Sequence, residues 1–352
     1  MTGIRATLKW WPLWLILAAS AAGFVVLVVT DDSGDAQASR DPAGHRQPRS
    51  NWRGQIAVAV PTDSSAPTLV DVATPEHRAP TVIHRAPKYE AIRDVAWSPD
   101  GARLAVVVGD PAGSAHVLVM LATGDDVTPV TEGDEVTTSS VAWSPDGKRL
   151  AYDLGRTADL VRGTPIVVSR LDGSHRHVVS PPDAFAAAPS WSPDGRAIAY
   201  ITTQTPGPFT VATGRVKVAR VKGGTAPLWL ARDYDGHDPA WAPDGTSVVF
   251  ATSWQGGQGL ATVAPRPNAT AYLVFDCSKK LECDAVDRPT FGPGDGGFGF
   301  LTSSGQPPRT LISMVPSGPE TDSVPVLRLP GYTCCLAGWT PVTGAGQSSS
   351  SV

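Results

Sequence analysis

Six aromatic residues stand at positions 97, 143, 191, 241, 291 and 339, at intervals of 46, 48, 50, 50 and 48 residues. A period of this size limits the fold more than any other feature, because one such unit cannot bury its apolar face alone and has to stack on copies of itself. The clearest copies read VAWSPDGARLAVV (95–107), VAWSPDGKRLAYD (141–153), PSWSPDGRAIAYI (189–201) and PAWAPDGTSVVFA (239–251). A degenerate copy, PTFGPGDGGFGFL, covers 289–301, and a truncated one, LAGWTPV, covers 336–342. The repeat positions Trp97, Trp143, Trp191, Trp241, Phe291 and Trp339 are read as structural.

Each copy reads as a β-hairpin. A short strand ends at the aromatic, Ser-Pro-Asp-Gly reverses the chain, and an apolar strand follows. Pro presets φ at the first corner of a type I turn, Asp bonds amides ahead of it, and Gly takes the left-handed position without a Cβ clash. The aromatic is expected to bury its surface in the seam between neighbouring units. A second hairpin follows, as in HVLVMLATGDDVTPV (116–130), PIVVSRLDGSHRHVV (165–179) and VKVARVKGGTAPLWL (216–230). Turn residues there separate alternating apolar runs. Four strands per unit predict propeller blades. Ahead of the first Trp, the runs GQIAVAV (54–60), TLVDVAT (68–74) and TVIHR (81–85) lack an innermost strand, and the copy around Trp339 is an innermost strand without the other three. Together they make one composite blade. The expected fold is all-β: a six-bladed β-propeller over residues 52–342, closed by strands from both ends so that no sheet edge stays free.

The W-S-P-D-G-x-x-[IL]-A-[FYV] unit resembles the repeat of TolB-type propellers, which also occurs in the propeller of prolyl-oligopeptidase-like enzymes. Four copies match closely and two are degenerate. The resemblance implies the fold; it does not fix the function. Its prolyl-oligopeptidase side implies a serine hydrolase domain, yet there is no G-x-S-x-G nucleophile elbow and no segment from which to build an α/β-hydrolase. TolB-type proteins carry an N-terminal α/β domain before the propeller, and here an apolar segment and a linker stand in its place. A role in envelope integrity, or docking to a peptidoglycan-associated partner, is what the resemblance implies by analogy.

Residues 10–29 are apolar apart from Pro12, Ser20 and Gly23. As a helix they span roughly 30 Å, the thickness of a hydrocarbon core. Arg5 and Lys9 precede them and Asp31, Asp32 and Asp35 follow, so the positive-inside rule puts residues 1–9 in the cytoplasm and the rest outside. Trp10, Trp11 and Trp14 fall at the inner interface. The competing reading is a signal peptide cleaved at Ala19-Ser20-Ala21, which would leave the apolar run Phe24–Val29 on the mature N-terminus. The uncleaved anchor is preferred: a single-pass protein of the cytoplasmic membrane with an extracytoplasmic propeller. A lipid-bearing Cys is excluded because the first Cys is Cys277. Residues 30–51 read as a flexible polar linker and 343–352 as a disordered tail.

Charged residues make up 18% of the chain and the net charge is -4, so no basic face for nucleic acid is expected. Four Cys remain. Cys277–Cys283 is the first-choice disulfide, leaving Cys334 and Cys335 as a vicinal pair or as free thiols; cross-pairing between the two loops is the rival. His175 and His177 read as exposed turn residues, and His84 and His116 as strand residues. The cluster Asp233-Tyr234-Asp235-Gly236-His237-Asp238 loosely matches a calcium loop but lacks the distal bidentate Glu, so a polar inter-blade loop is preferred. No metal, cofactor or catalytic residue is assigned.

Loops at a propeller mouth present variable side chains on a rigid scaffold. The expected partner-binding rim is Arg93, Asp94, Asp183, Asp235, His237, Asp238, Asp287 and Arg288. The expected function is a non-enzymatic, membrane-anchored scaffold, monomeric, binding a protein or cell-wall partner at that mouth. The alternative is a propeller hydrolase (lactonase or glycan-acting) in the central channel, which needs convergent carboxylates or a metal on innermost strands read as VAW, VAW, PSW, PAW and PTF.

Overall fold

The three Ser-Pro-Asp-Gly turns and the Ala-Pro-Asp-Gly turn at 242–245 place their glycines alike. Gly101, Gly147, Gly195 and Gly245 sit at φ of 69°, 66°, 67° and 72°, where any Cβ is penalised. The Gly101 amide donates to the Ser98 carbonyl at 2.9 Å. Ser98 Oγ donates to Asp100 and accepts from the Arg103 amide at 2.9 Å. The same bonds recur at Ser144 with Asp146 and at Ser192 with Asp194. The hydroxyl and carboxylate therefore satisfy the amides that the reversal leaves unpaired, which fixes the register of the two strands.

A computed structural model of the chain describes residues 56–339, short of 62–66, 74–80, 111–113, 138–139, 157–162, 204–213, 223–227, 231–234, 255–256, 268, 280–282, 292–297, 305–308, 316–323 and 331–334. The apolar segment 10–29, the linker 30–51 and the tail 343–352 lie outside the described residues. No described helix is long and apolar enough to cross a membrane.

The described strands pair antiparallel throughout, and the described residues include one short helical turn at Cys277–Lys279. Strands β1 (Ile56–Pro61), β2 (Pro67–Ala73) and β3 (Thr81–Arg85) form a sheet with the last strand, β26 (Cys335–Trp339), in the order β26-β1-β2-β3. The Trp97 sheet is β4 (Ala91–Trp97), β5 (Arg103–Gly109), β6 (Ala115–Leu121) and β7 (Thr128–Pro129). The pair β8 (Glu135–Val136) and β11 (Gly155–Arg156) stands apart from the Trp143 sheet, which is β9 (Val141–Trp143), β10 (Arg149–Asp153), β12 (Ile166–Arg170) and β13 (His177–Val178). The Trp191 sheet is β14 (Phe185–Trp191), β15 (Ala197–Thr203), β16 (Arg215–Arg220) and β17 (Leu228–Trp229). The Trp241 sheet is β18 (Gly236–Trp241), β19 (Val248–Trp254), β20 (Gly257–Val263) and β21 (Tyr272–Asp276). The Phe291 sheet is β22 (Ala285–Phe291), β23 (Phe298–Ser304), β24 (Arg309–Val315) and β25 (Val324–Pro330). This is a β-propeller-like fold of four-stranded units. The first and last described strands meet by backbone pairing, Ile56 opposite Trp339 and Val58 opposite Leu336.

The core lies between successive sheets. In the second strand of each unit, side chains alternate between the two faces. Leu150 and Tyr152 pack back against Ala105, Val107 and Trp143, and Ala151 between them packs forward against Trp191, Ile198 and Tyr200. One step on, Ala199 and Ile201 meet Val248 and Phe250. Large residues thus fill one seam while the intervening Ala lets the next sheet approach, the alternation that close packing of stacked sheets requires. Two of the aromatics also join the seams by polar bonds, whereas the buried Nε1 atoms of Trp97 and Trp241 have no hydrogen-bond partner among the described residues. Trp143 Nε1 donates to the Ala96 carbonyl at 3.0 Å, and Trp191 Nε1 to the Ala142 carbonyl at 3.3 Å. Each indole thereby binds the innermost strand of the preceding sheet. The innermost strands adjoin in turn: β4 to β9, β9 to β14, β14 to β18, β18 to β22, β22 to β26, and β26 to β4.

If the seam depends chiefly on packing, Trp143→Phe should lower stability by about 1 kcal/mol through the lost N–H bond. Trp143→Ala should lower it by about 3–5 kcal/mol through the cavity. Urea unfolding followed by circular dichroism measures both, and equal losses would show that the indole bond, not the ring volume, holds the seam.

Candidate functional site

The innermost strands begin earlier than their sequence suggests. β4, β14, β18 and β22 start five or six residues before the aromatic. Residues expected in loops, Asp94, His237, Asp238, Asp287 and Arg288, therefore lie on the strands themselves. The polar segment read as one loop, 233–238, continues into β18 from Gly236, and 231–234 fall outside the described residues.

A β-bulge explains how these strands accommodate charge. Pairing shifts between Ala187 and Ser190, between His237 and Ala240, and between Asp287 and Thr290. At the same position in each bulge, three residues before the aromatic, Ala188, Asp238 and Arg288 adopt φ of 51°, 47° and 54°. Non-glycine residues pay for this region. A bulge of this kind re-aims a side chain out of the sheet's alternation. Here it brings Asp238 and Arg288 to a cavity of about 360 Å³ enclosed by β4, β9, β14, β18 and β22.

Asp94 and Arg288 meet in that cavity at 3.1 Å, although 194 residues separate them in sequence. Asp94 is almost fully buried. Its second oxygen accepts the Val141 amide of the next sheet at 2.9 Å. Arg288 also faces Asp238, whose Oδ2 lies 3.5 Å from Nε and accepts the Arg288 amide at 3.3 Å. Behind this pair, His237 Nε2 lies 3.0 Å from Asp287 Oδ1, with the imidazole buried. Arg288 and Asp94 thus bind across the sheet β26-β1-β2-β3 that lies between their own sheets.

Burial shapes the charges. Desolvation pushes the Asp94 carboxyl up to about 6, against the opposing pull of Arg288 and the Val141 amide. Burial also disfavours a charged His237. The Asp287 hydrogen bond and the charges of Asp238 and Asp287 outweigh it, and the imidazole pKa is raised despite Arg288 nearby. Three carboxylates face one guanidinium and one imidazole, so the mouth is net acidic. The ligand atoms of His237, Asp238 and Asp287 lie within 4.8 Å of one another. A divalent cation held there would compete with Arg288 for Asp238 and with the proton on His237.

Three expected rim residues stand apart from this cluster. The Arg93 guanidinium donates to the Asp110 carbonyl at 2.6 Å. Asp183 is exposed in a turn, and Asp235 pairs with Arg215 at 3.4 Å on the surface. Ser140, at the position equivalent to Asp94 one sheet on, lines the cavity. A disulfide joins Cys277 and Cys283, Cα atoms 5.3 Å apart. The side chains of Cys334 and Cys335 lie outside the described residues. His175 and His177 are exposed.

One expectation needs correction. The net charge of -4 conceals a locally basic groove at the Trp143 and Trp191 sheets, lined by Lys148, Arg149, Arg170, Arg196, Arg220 and Lys222. The sequence carried a signal for it: Lys148 and Arg196 each follow their aromatic by five residues, and Arg170 and Arg220 each end a third strand. A whole-chain sum cannot register such placement.

A sequence model of the TolB beta propeller domain matches residues 76–275. No curated protein matches the chain. Among solved structures, TolB from Acinetobacter baumannii is similar with a TM-score of 0.61 at 15% identity, over 81% of this chain and 67% of that one. A protein assigned as TolB in Agrobacterium tumefaciens gives 0.56 at 17% identity, over 79% and 90%. A puromycin-hydrolyzing peptidase from Mycobacterium tuberculosis gives 0.51 at 16% identity, over 79% of this chain but 45% of that one. At these identities the likeness is one of fold.

The raised Asp94 pKa carries a sign that can be checked. A carboxyl protonated more readily in the folded state stabilises it below the ordinary carboxyl range, and that contribution disappears as pH rises through about 6. The stability of the wild type relative to Asp94→Asn is therefore expected to fall by about 2 kcal/mol between pH 4 and pH 7. Denaturant melts at a series of pH values measure it, and a flat difference would mean that Asp94 titrates normally.

Proposed function

The chain belongs to the TolB beta-propeller domain family, and from that premise we propose that it is a six-bladed propeller whose two ends close the ring. It is held outside the cytoplasmic membrane by residues 10–29 and acts as a non-enzymatic scaffold. As a monomer, it captures a protein or cell-wall partner at the mouth of its central channel. The cycle of adjoining innermost strands and the pairing of β1 with β26 support the closed ring. The apolar length of 10–29, with basic residues before it and acidic ones after, supports the anchor.

One observation carries the binding role. The aromatic and the Pro-Asp-Gly of the turn recur in four of the units, but the position three residues before the aromatic does not. It holds Asp94, Ser140, Ala188, Asp238 and Arg288, and all of these but Ala188 line the cavity. A scaffold position would repeat with the scaffold. A position whose chemistry changes from unit to unit suits recognition of a particular ligand.

The experiment is crosslinking in membranes followed by pull-down. Asp238→Ala and Arg288→Ala are expected to reduce partner capture by about tenfold or more, as truncating a buried charge contact does. Arg93→Ala should leave it unchanged. Because removing one member of a buried pair also destabilises, Asp287→Asn serves as the milder variant and thermal melting as the control. Undiminished capture by folded variants would refute the mouth as the binding surface.

A second reading has its own observation. The cluster of His237, Asp238 and Asp287 supplies the convergent carboxylates and imidazole that a channel hydrolase would need. Elemental analysis of the purified protein separates the two readings. Stoichiometric divalent metal lost in Asp287→Asn favours the hydrolase, and its absence favours the scaffold.

A further inference from the structure

A groove of about 1160 Å³ runs between the Trp143 and Trp191 sheets. It is bordered by the turns at Asp146–Arg149 and Asp194–Ala197 and by the ends of β12 and β16. One wall carries Lys148, Arg149 and Arg170, and the other carries Arg196, Arg220 and Lys222. Arg149 is committed to the scaffold: its guanidinium lies 4.8 Å from the Trp191 ring centroid and 3.9 Å from Asp146. Arg196 faces Asp194 at 4.0 Å. Both carboxylates already serve the turns, Asp146 bound by Ser144 and Asp194 by Ser192. Lys148, Arg170, Arg220 and Lys222 are exposed; Asp146 feels the charge of Lys148 and Asp172 that of Arg170, but among the described residues no ion pair within 4.0 Å holds any of the four. Like charges gathered in a concave site with so little compensation repel one another and raise the local potential, a cost that a bound anion relieves.

The form of the groove narrows the ligand. Its floor is Val168, Ala197 and Val221, with the Trp191 ring buried and covered by Arg149. Among the described residues it therefore offers no open aromatic face for stacking bases or sugar rings. It is a cleft rather than a plane, so it suits a linear chain better than a bilayer surface. Cations stand on both walls. An extended peptide sends successive side chains to opposite sides, so a run of Asp and Glu would place carboxylates on the two walls alternately. Arg pairs with carboxylates bidentately and exposed Lys adds to the field.

We propose that this groove is a second docking site, distinct from the channel mouth, for an extended acidic peptide segment of a protein partner. It rests on the reading of the chain as a protein-binding scaffold and adds the chemistry of what is bound.

Fluorescence anisotropy of the full chain in detergent micelles tests it, with a labelled Asp/Glu peptide as probe and a Gln/Asn peptide of equal length as control. The acidic peptide is expected to bind, the neutral one not, with affinity falling as salt is raised. Arg170→Glu with Arg220→Glu should weaken binding by about tenfold or more. Arg170→Gln with Arg220→Gln gives a smaller loss of the same sign and covers the case in which charge reversal impairs folding. Arg288→Ala should leave peptide binding intact. No binding of the acidic peptide by the folded wild type, with mouth-dependent capture preserved, overturns this inference alone. Undiminished partner capture by folded Arg288→Ala, with peptide binding preserved, overturns only the mouth reading. Polyphosphate, single-stranded DNA or anionic vesicles binding the groove when the acidic peptide does not would also overturn it.

Discussion

The seam between sheets is the constraint on which the rest of the structure depends. A four-stranded sheet with both faces apolar is unstable in water until another sheet covers each face. The repeat meets this with one aromatic and one alternation. Leu or Ile and Tyr or Phe point back into one seam and Ala points forward into the next, so every sheet is both a filler and a receiver. The indole N–H of Trp143 and of Trp191, bonded to the preceding innermost strand, fixes the height at which neighbours meet. That height in turn sets which side chains converge on the axis.

Convergence is where the repeat gives way. The bulges at Ala188, Asp238 and Arg288 spend backbone strain to turn one side chain per strand out of the alternation. Two of those three side chains are charged, and Arg288 joins Asp238 to Asp94, which comes from a sheet far away in sequence. A buried ion pair of this kind adds little net stability when desolvation is set against attraction. Its presence among the polar side chains of the axis fits the recognition proposed for that cavity better than a contribution to folding. The basic groove stands away from the axis and places charge differently, on exposed turns and strand ends, where desolvation costs almost nothing.

Much of this was legible in the sequence. The period, the turn chemistry and the aromatic positions predicted four-stranded units, and the orphan runs at each end predicted that β1 and β26 would pair. The innermost strands were read too short, as VAW or PAW, because alternation is the signal for a strand and the bulge interrupts it before Trp97, Trp191, Trp241 and Phe291. Asp94, Asp238 and Arg288 were consequently placed in loops. Their meeting depends on a contact across 194 residues, which local pattern does not encode. Arg93, Asp183 and Asp235 occupy neighbouring positions in the chain, yet side-chain direction carries them elsewhere. The basic groove escaped because net charge averages over faces that never meet.

The central claim is that the chain's two ends belong to the same cooperative structure as the sheets between them. Native-state hydrogen exchange of the full chain, read by mass spectrometry, tests this directly. Amides of β1 and β26 that pair with each other should exchange at the opening free energy of β10 and β15, since breaking the ring exposes the seams on both sides. Fast exchange in β26 while β10 and β15 remain protected would contradict the account, because the end strand would then be an appendage and not the closure.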